Sequence, residues 1–159
     1  MQLLIIVRGC NLGCMTLPAQ DRLGLDIKRT EQALMSAKTA ALKDVSLTVA
    51  QYAALLALAD NPGISSAALA RACMVSPQAM TTVLRNLDDR GLIERTPHPW
   101  HQNALQVRVT DTGAELLRQA DERAHRIEQR ILEELTPQEQ ETLRALLARC
   151  VTAIQVEPG

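Results

Sequence analysis

Aromatic side chains are almost missing from this chain: Tyr52 and Trp100 stand alone, and there is no Phe among 159 residues. A core must therefore be assembled from Leu, Ala, Val, Ile and Met, which favours helices packed closely over small side chains. The apolar opening, Met1 to Val7, ends at Arg8. That is far short of the ~20 residues a membrane helix needs, and it lacks the charged start of a secretory signal. No phosphate-cradling Gly-rich loop, Gly-x-Ser-x-Gly elbow or spaced Cys/His zinc signature is present, so nothing points to an enzyme or to a cofactor. Four cysteines (10, 14, 73, 150) are too scattered for a disulfide or zinc framework. They read as thiols of a reducing cytoplasm, with a thiol-based redox sensor as the alternative.

Charge of one sign is lacking too, since the net is −1, but its distribution is uneven. Between Ile64 and Thr110 there are five Arg (71, 85, 90, 95, 108) against three acids (88, 89, 94). From Asp111 onward there are six Arg against ten acids. A mildly basic middle and an acidic C-terminal third permit one DNA-facing surface.

What is present is helical periodicity. From Leu23 to Lys43, residues Leu23, Ile27, Leu34, Ala37 and Ala41 form one stripe. Thr48 is a candidate N-cap for a second helix reaching Asp60, which Asn61-Pro62-Gly63 ends. Ser65 or Ser66 caps a short helix over 67–74. Ser76, with Pro77 at the first helical position, opens another that Gly91 stops. Residues 92–96 and the alternating Leu105, Val107 and Val109 predict a hairpin. A long helix over 112–134 carries Leu117, Ala120, Ala124, Ile127, Ile131 and Leu135 at packing intervals. Thr136-Pro-Gln-Glu139 is a capping box for a last helix, with Leu143, Leu146, Leu147, Cys150 and Ile154 on one face. The fold class is thus mainly α with a small β-hairpin.

The stretch from Ile64 to Thr110 carries the function. Two short helices joined by a tight turn, Cys73 to Pro77, make a helix-turn-helix arrangement. The second helix is two-faced: Met80, Val83, Leu84 and Leu87 share one side, and Gln78, Thr81, Thr82 and Arg85 the other. Arg can pair bidentately with guanine, Gln with adenine, and a Thr methyl can meet the thymine methyl. The same residues also suit a plain solvated face, but the capped helix before them and the hairpin after favour a major-groove reader.

Leu69 to Arg95 (LARACMVSPQAMTTVLRNLDDRGLIER), then Val107 to Gly113 (VRVTDTG), with Leu47 to Tyr52 (LTVAQY) ahead of them, resemble the MarR family of bacterial regulators. The resemblance covers about residues 23–155. It implies a winged helix-turn-helix homodimer that binds duplex DNA, a repressor released by a small-molecule effector. The implied organisation is a tail or upstream extension over 1–19 (with Met15 as the alternative start), an N-terminal dimerisation helix over 20–46, the winged domain over 47–110, and C-terminal dimerisation helices over 111–159. By position, Ser66, Ser76, Gln78, Thr81, Thr82 and Arg85 match the helix-turn-helix surface. Arg95, His101, Gln102 and Asn103 match the wing. A pocket for a small, largely apolar effector is implied among Ile27, Leu34, Met35, Tyr52 and Leu55.

The chain departs from that family in two places. Its wing has His101-Gln102-Asn103 where an Asp-x-Arg pair is common, leaving Arg95 and Arg108 as the nearby arginines. Thr82 stands where many members carry a basic residue. These departures keep a second reading open, a winged helix that binds a protein partner instead of DNA. His98 and His101 alone make a poor metal site without a third ligand nearby.

Overall fold

A computed structural model describes residues 18, 21–98 and 101–155, with side-chain environments for these outside 97–105. All but Pro18 of the expected tail over 1–19, Trp100 and the wing-tip side chains of His98, His101, Gln102 and Asn103 lie outside that description. The order is α1 (Leu23–Leu42), a 3₁₀ turn (Lys43–Val45), α2 (Val49–Asp60), α3 (Ser66–Ala72), α4 (Pro77–Asp89), β1 (Ile93–His98), β2 (His101–Val109), α5 (Asp111–Glu133) and α6 (Pro137–Gln155). Apart from the 3₁₀ turn, this is the sequence of elements the periodicities predict. The chain divides into two compact units, Met1–Ala33 and Leu34–Gly159. In the first, the opening turns of α1 are solvent-exposed and carry the pairs Lys28–Glu31 (2.7 Å) and Arg29–Asp26 (3.4 Å).

The second unit holds the core. Leu42, Leu55, Leu58, Leu69, Met80 and Leu87 are its largest fully buried side chains. The core mixes large aliphatic side chains with small ones, and α2 and α5 are in contact within it. Ala54, Ala120 and Ala124 are all buried in this cluster, and helix axes come closer when the contact residues are small. Of the α5 stripe, Leu117 to Ile127 is buried, whereas Ile131 is exposed.

Local chemistry sets each boundary. Thr48 and Gln51 form a reciprocal capping box at the start of α2. Asn61-Pro62-Gly63-Ile64 is a turn with Gly63 at φ 87° and Ile64 N–H bonded to Asn61 O, the type II pattern of Pro then Gly. Ser65 rather than Ser66 caps α3, its hydroxyl accepting from Ala68 N–H. Ser76 caps α4 in the same way through Ala79 N–H. At the end of α4, Gly91 (φ 65°) donates to Asp88 O and Leu92 donates to Leu87 O, which is the Schellman stop. The turn between α3 and α4 has the same pair of bonds, Met74 to Arg71 O and Val75 to Ala70 O, with Met74 left-handed at φ 53°.

In the hairpin, Ile93 pairs with Val109 and Arg95 with Val107, with an irregularity between Pro97 and His98. Ile93 and Val107 are buried. The base of the hairpin is locked by Thr110. Its N–H donates to Leu92 O (3.1 Å), its hydroxyl donates to Gly91 O (2.7 Å), and that hydroxyl also accepts from Gly113 N–H to cap α5. Gly113 is buried here, and a Cβ at this position would lie 2.0 Å from Leu92 O and 2.9 Å from Val109 Cγ1. A backbone carbonyl cannot swing aside as a flexible side chain would.

Two glycines therefore separate two kinds of constraint. Gly113→Ala is expected to cost about 3 kcal/mol or more through overlap with backbone. Gly91→Ala meets open space and should cost only the left-handed penalty, about 1–2 kcal/mol. Urea unfolding at one fixed protein concentration checks the order; equal losses would mean that the α5 start shifts to make room.

Candidate nucleic-acid interface

The α3–turn–α4 unit presents one helix face outward because the other is consumed by the core. Met80, Leu84 and Leu87 are buried and Val83 is half-buried. Gln78, Thr81, Thr82 and Arg85 are exposed together on the opposite side, as are Ser66 and Ser76 at the helix starts. Arg85 has no hydrogen bond or ion pair among the described residues, so its whole guanidinium is available. The Ser76 hydroxyl accepts a bond as the N-cap and still has its own hydrogen to give. The threonine hydroxyls are already committed: Thr81 Oγ1 donates to Pro77 O (3.0 Å) and Thr82 Oγ1 to Gln78 O (3.4 Å).

The wing meets this helix through an ion pair. Arg95 Nε donates to Asp88 Oδ2 at 2.8 Å, with both side chains about two-fifths exposed (40% and 39%). Arg95 thus props β1 against the end of α4 while its terminal nitrogens remain. Arg108 lies on the other face of the hairpin and bonds to Gln106 Oε1 (3.2 Å). Arg90 is withdrawn from the surface charge by donating to Ser46 O (2.9 Å), the carbonyl that follows the 3₁₀ turn.

The residues expected at the effector pocket differ in their surroundings. Leu55 is fully buried in the core and Leu34 is half-buried. Ile27 belongs to the first unit. Met35 lines an open groove of about 690 Å³ with Thr39, Lys43, Leu47, Thr48 and Val49. Tyr52 is buried, and its hydroxyl donates to Asp121 Oδ1 on α5 at 2.7 Å. Burial, then this bond and the nearby charges of Asp121 and Glu128, push the phenol well above its usual range. Lys38 pairs with Glu128 beside it. Sequence reasoning missed Asp121, although an acid four residues after Leu117 and three before Ala124 interrupts an apolar seam, and that is a readable signal.

Among the described residues no three His, Cys, Asp or Glu side chains come together as a metal site. Cys73 and Cys150 are unpaired and half-buried. Burial pushes the Cys73 thiol up, which disfavours the thiolate that redox sensing requires. No single helix among the described residues is long and apolar enough to cross a membrane.

A short capped helix, a left-handed turn, a two-faced helix and a hairpin braced against it define a winged helix-turn-helix. Residues 45–101 match the MarR family. Over 125 residues the chain is 37% identical to the HTH-type transcriptional repressor Rv2887 of Mycobacterium tuberculosis, covering 78% of this chain and 90% of that one. The structure of Rv2887 with p-aminosalicylic acid is similar at a TM-score of 0.65, with 33% identity over 81% of this chain and 98% of that one. The transcriptional repressor CouR bound to a 23-mer DNA duplex gives 0.73, with 28% identity over 83% and 94%. A mutant of Escherichia coli MarR with operator DNA gives 0.72, with 26% identity over 80% and 92%. The chain belongs to the MarR family and is a DNA-binding transcriptional regulator.

The Tyr52–Asp121 bond offers a direct check on the α2–α5 contact. Tyr52→Phe keeps the ring and is expected to lower stability by about 1 kcal/mol, the net worth of one such bond. Denaturant midpoints at matched concentration measure it. An unchanged midpoint would show that water replaces the phenol without loss.

Proposed function

We propose that the protein is a repressor that covers a palindromic operator as a homodimer and is released by a small, largely apolar effector. The observation that carries this reading is the exposed polar face of α4, in which Arg85 is left without a partner. Gln78, Thr81, Thr82 and Arg85 would enter the major groove. The hydroxyls of Ser66 and Ser76 would meet phosphate, and a second copy would place its α4 about one helical turn away. The wing residues His101, Gln102 and Asn103 would follow the backbone of the neighbouring groove, with Arg95 and Arg108 supplying positive charge at its base.

Exposed apolar side chains support the dimer. On α6, Leu143, Leu146, Leu147, Val151 and Ile154 are 42–78% exposed and no residue is buried. Leu23, Leu25 and Ile27 on the first turns of α1 are exposed as well. A single chain that leaves five large apolar groups on one helix in water gains free energy by covering them. The structures of one relative, Rv2887, with p-aminosalicylic acid and with salicylic acid support an effector of similar size. Leu34, Met35 and Tyr52 are the residues we assign to it, with Lys43 beside Met35 available to an acidic group. An effector that binds better when the α4 helices are wrongly spaced would lower DNA affinity. The role is regulatory rather than catalytic, exercised in the cytoplasm.

Fluorescence anisotropy on duplexes tiling the DNA upstream of the gene, with salt titration, tests the proposal. Tight binding to one tile that falls with salt is expected. Arg85→Ala should weaken that tile by about 1–3 kcal/mol per half-site while the dimer persists. Weak, equal binding to every tile, including random duplex, would favour a winged helix that uses a protein partner instead.

A further inference from the structure

We infer that α4 reads its half-site chiefly through thymine methyl groups, with the γ-methyls of Thr81 and Thr82, and not their hydroxyls, as the specificity-determining atoms. This rests on the DNA-binding reading above and adds which bases are read, and by which atoms.

A threonine has one O–H. In Thr81 that hydrogen is given to Pro77 O, and in Thr82 to Gln78 O. Neither can then donate to the major-groove acceptors, which are guanine N7 and O6, adenine N7 and thymine O4; each oxygen keeps only a lone pair for an adenine or cytosine amino group, a contact that Thr81→Val and Thr82→Val remove. The methyl group remains on an exposed side chain. Ala79 is also exposed, one turn before Thr82, and adds a third methyl to the same surface. No charged residue occurs from Pro77 to Leu84, so no carboxylate in these two turns can select the cytosine amino group. The first acid after Arg85 is Asp88, already paired with Arg95. What this helix offers a groove is a methyl-rich strip, the Gln78 amide at its start and the Arg85 guanidinium one to two turns further on. Thymine presents the only base methyl in the groove. The half-site that fits is thymine-rich next to the helix start, with a guanine under Arg85.

The test begins with the wild-type protein and a pool of random duplexes, from which the bound sequence is recovered. Each thymidine of that duplex is then replaced singly by deoxyuridine, which removes only the C5-methyl. One or two positions per half-site are expected to lose about fourfold in affinity each, the worth of one buried methyl. Thr81→Val and Thr82→Val, which keep the methyl, should retain that sensitivity, and Thr81→Ser and Thr82→Ser should abolish it. A recovered sequence whose affinity is indifferent to every deoxyuridine overturns the methyl readout and leaves the regulator reading intact. Loss of sensitivity in the Val variants with retention in the Ser variants assigns the readout to the hydroxyls and likewise overturns it. A pool that yields no preferred sequence overturns both.

Discussion

The junction around Thr110 is the constraint from which the working geometry of this molecule follows. Within a few residues it joins the end of α4, the first strand, the second strand and the start of α5. The Thr110 hydroxyl serves two elements at once, donating to Gly91 O and capping α5 through Gly113 N–H. The absence of a side chain at Gly113 lets the helix start press against Leu92 O. The partners of Thr110 in these hydrogen bonds are all backbone atoms, so it ties the end of α4 to the start of α5 through the main chain.

The α2–α5 contact extends the same logic into the core. Ala54 on α2 and Ala120 and Ala124 on α5 are buried in the core cluster, and a chain with two aromatic residues has few larger groups to spend there. Tyr52 is the exception, and its phenol is accommodated because Asp121 accepts its proton-bearing oxygen's bond. A polar link at the seam between the body and the long helix is held by direction as well as by shape. Apolar packing alone tolerates sliding, and a hydrogen bond of this kind does not.

The candidate recognition surface is economical in charge. Arg95 and Arg90 are drawn into contacts with Asp88 and Ser46 O, and Arg108 bonds to Gln106. Among the described residues, Arg85 alone of the arginines of α4 and the wing has no such partner. A nearly neutral protein can still read DNA in this way if specificity is built from shape and methyl contacts while a few cations supply the phosphate attraction.

Periodicity and capping are local, and so the sequence by itself determined the order of elements, the buried face of α4 and the stops at Gly63 and Gly91. Helix geometry fixes which residues share a face, and a cap needs only its next three neighbours. Pairings between distant residues carry no such local mark. Only the tertiary structure decided that Arg95 would close on Asp88, that Tyr52 would turn inward to Asp121, and that Leu55 would fill the core. The same holds for Met74, whose left-handed backbone is imposed by the turn between α3 and α4 on a residue with no preference for it. The apolar face of α6 was legible as a face, but not its exposure in the single chain, because periodicity tells which side seeks cover and not what provides it.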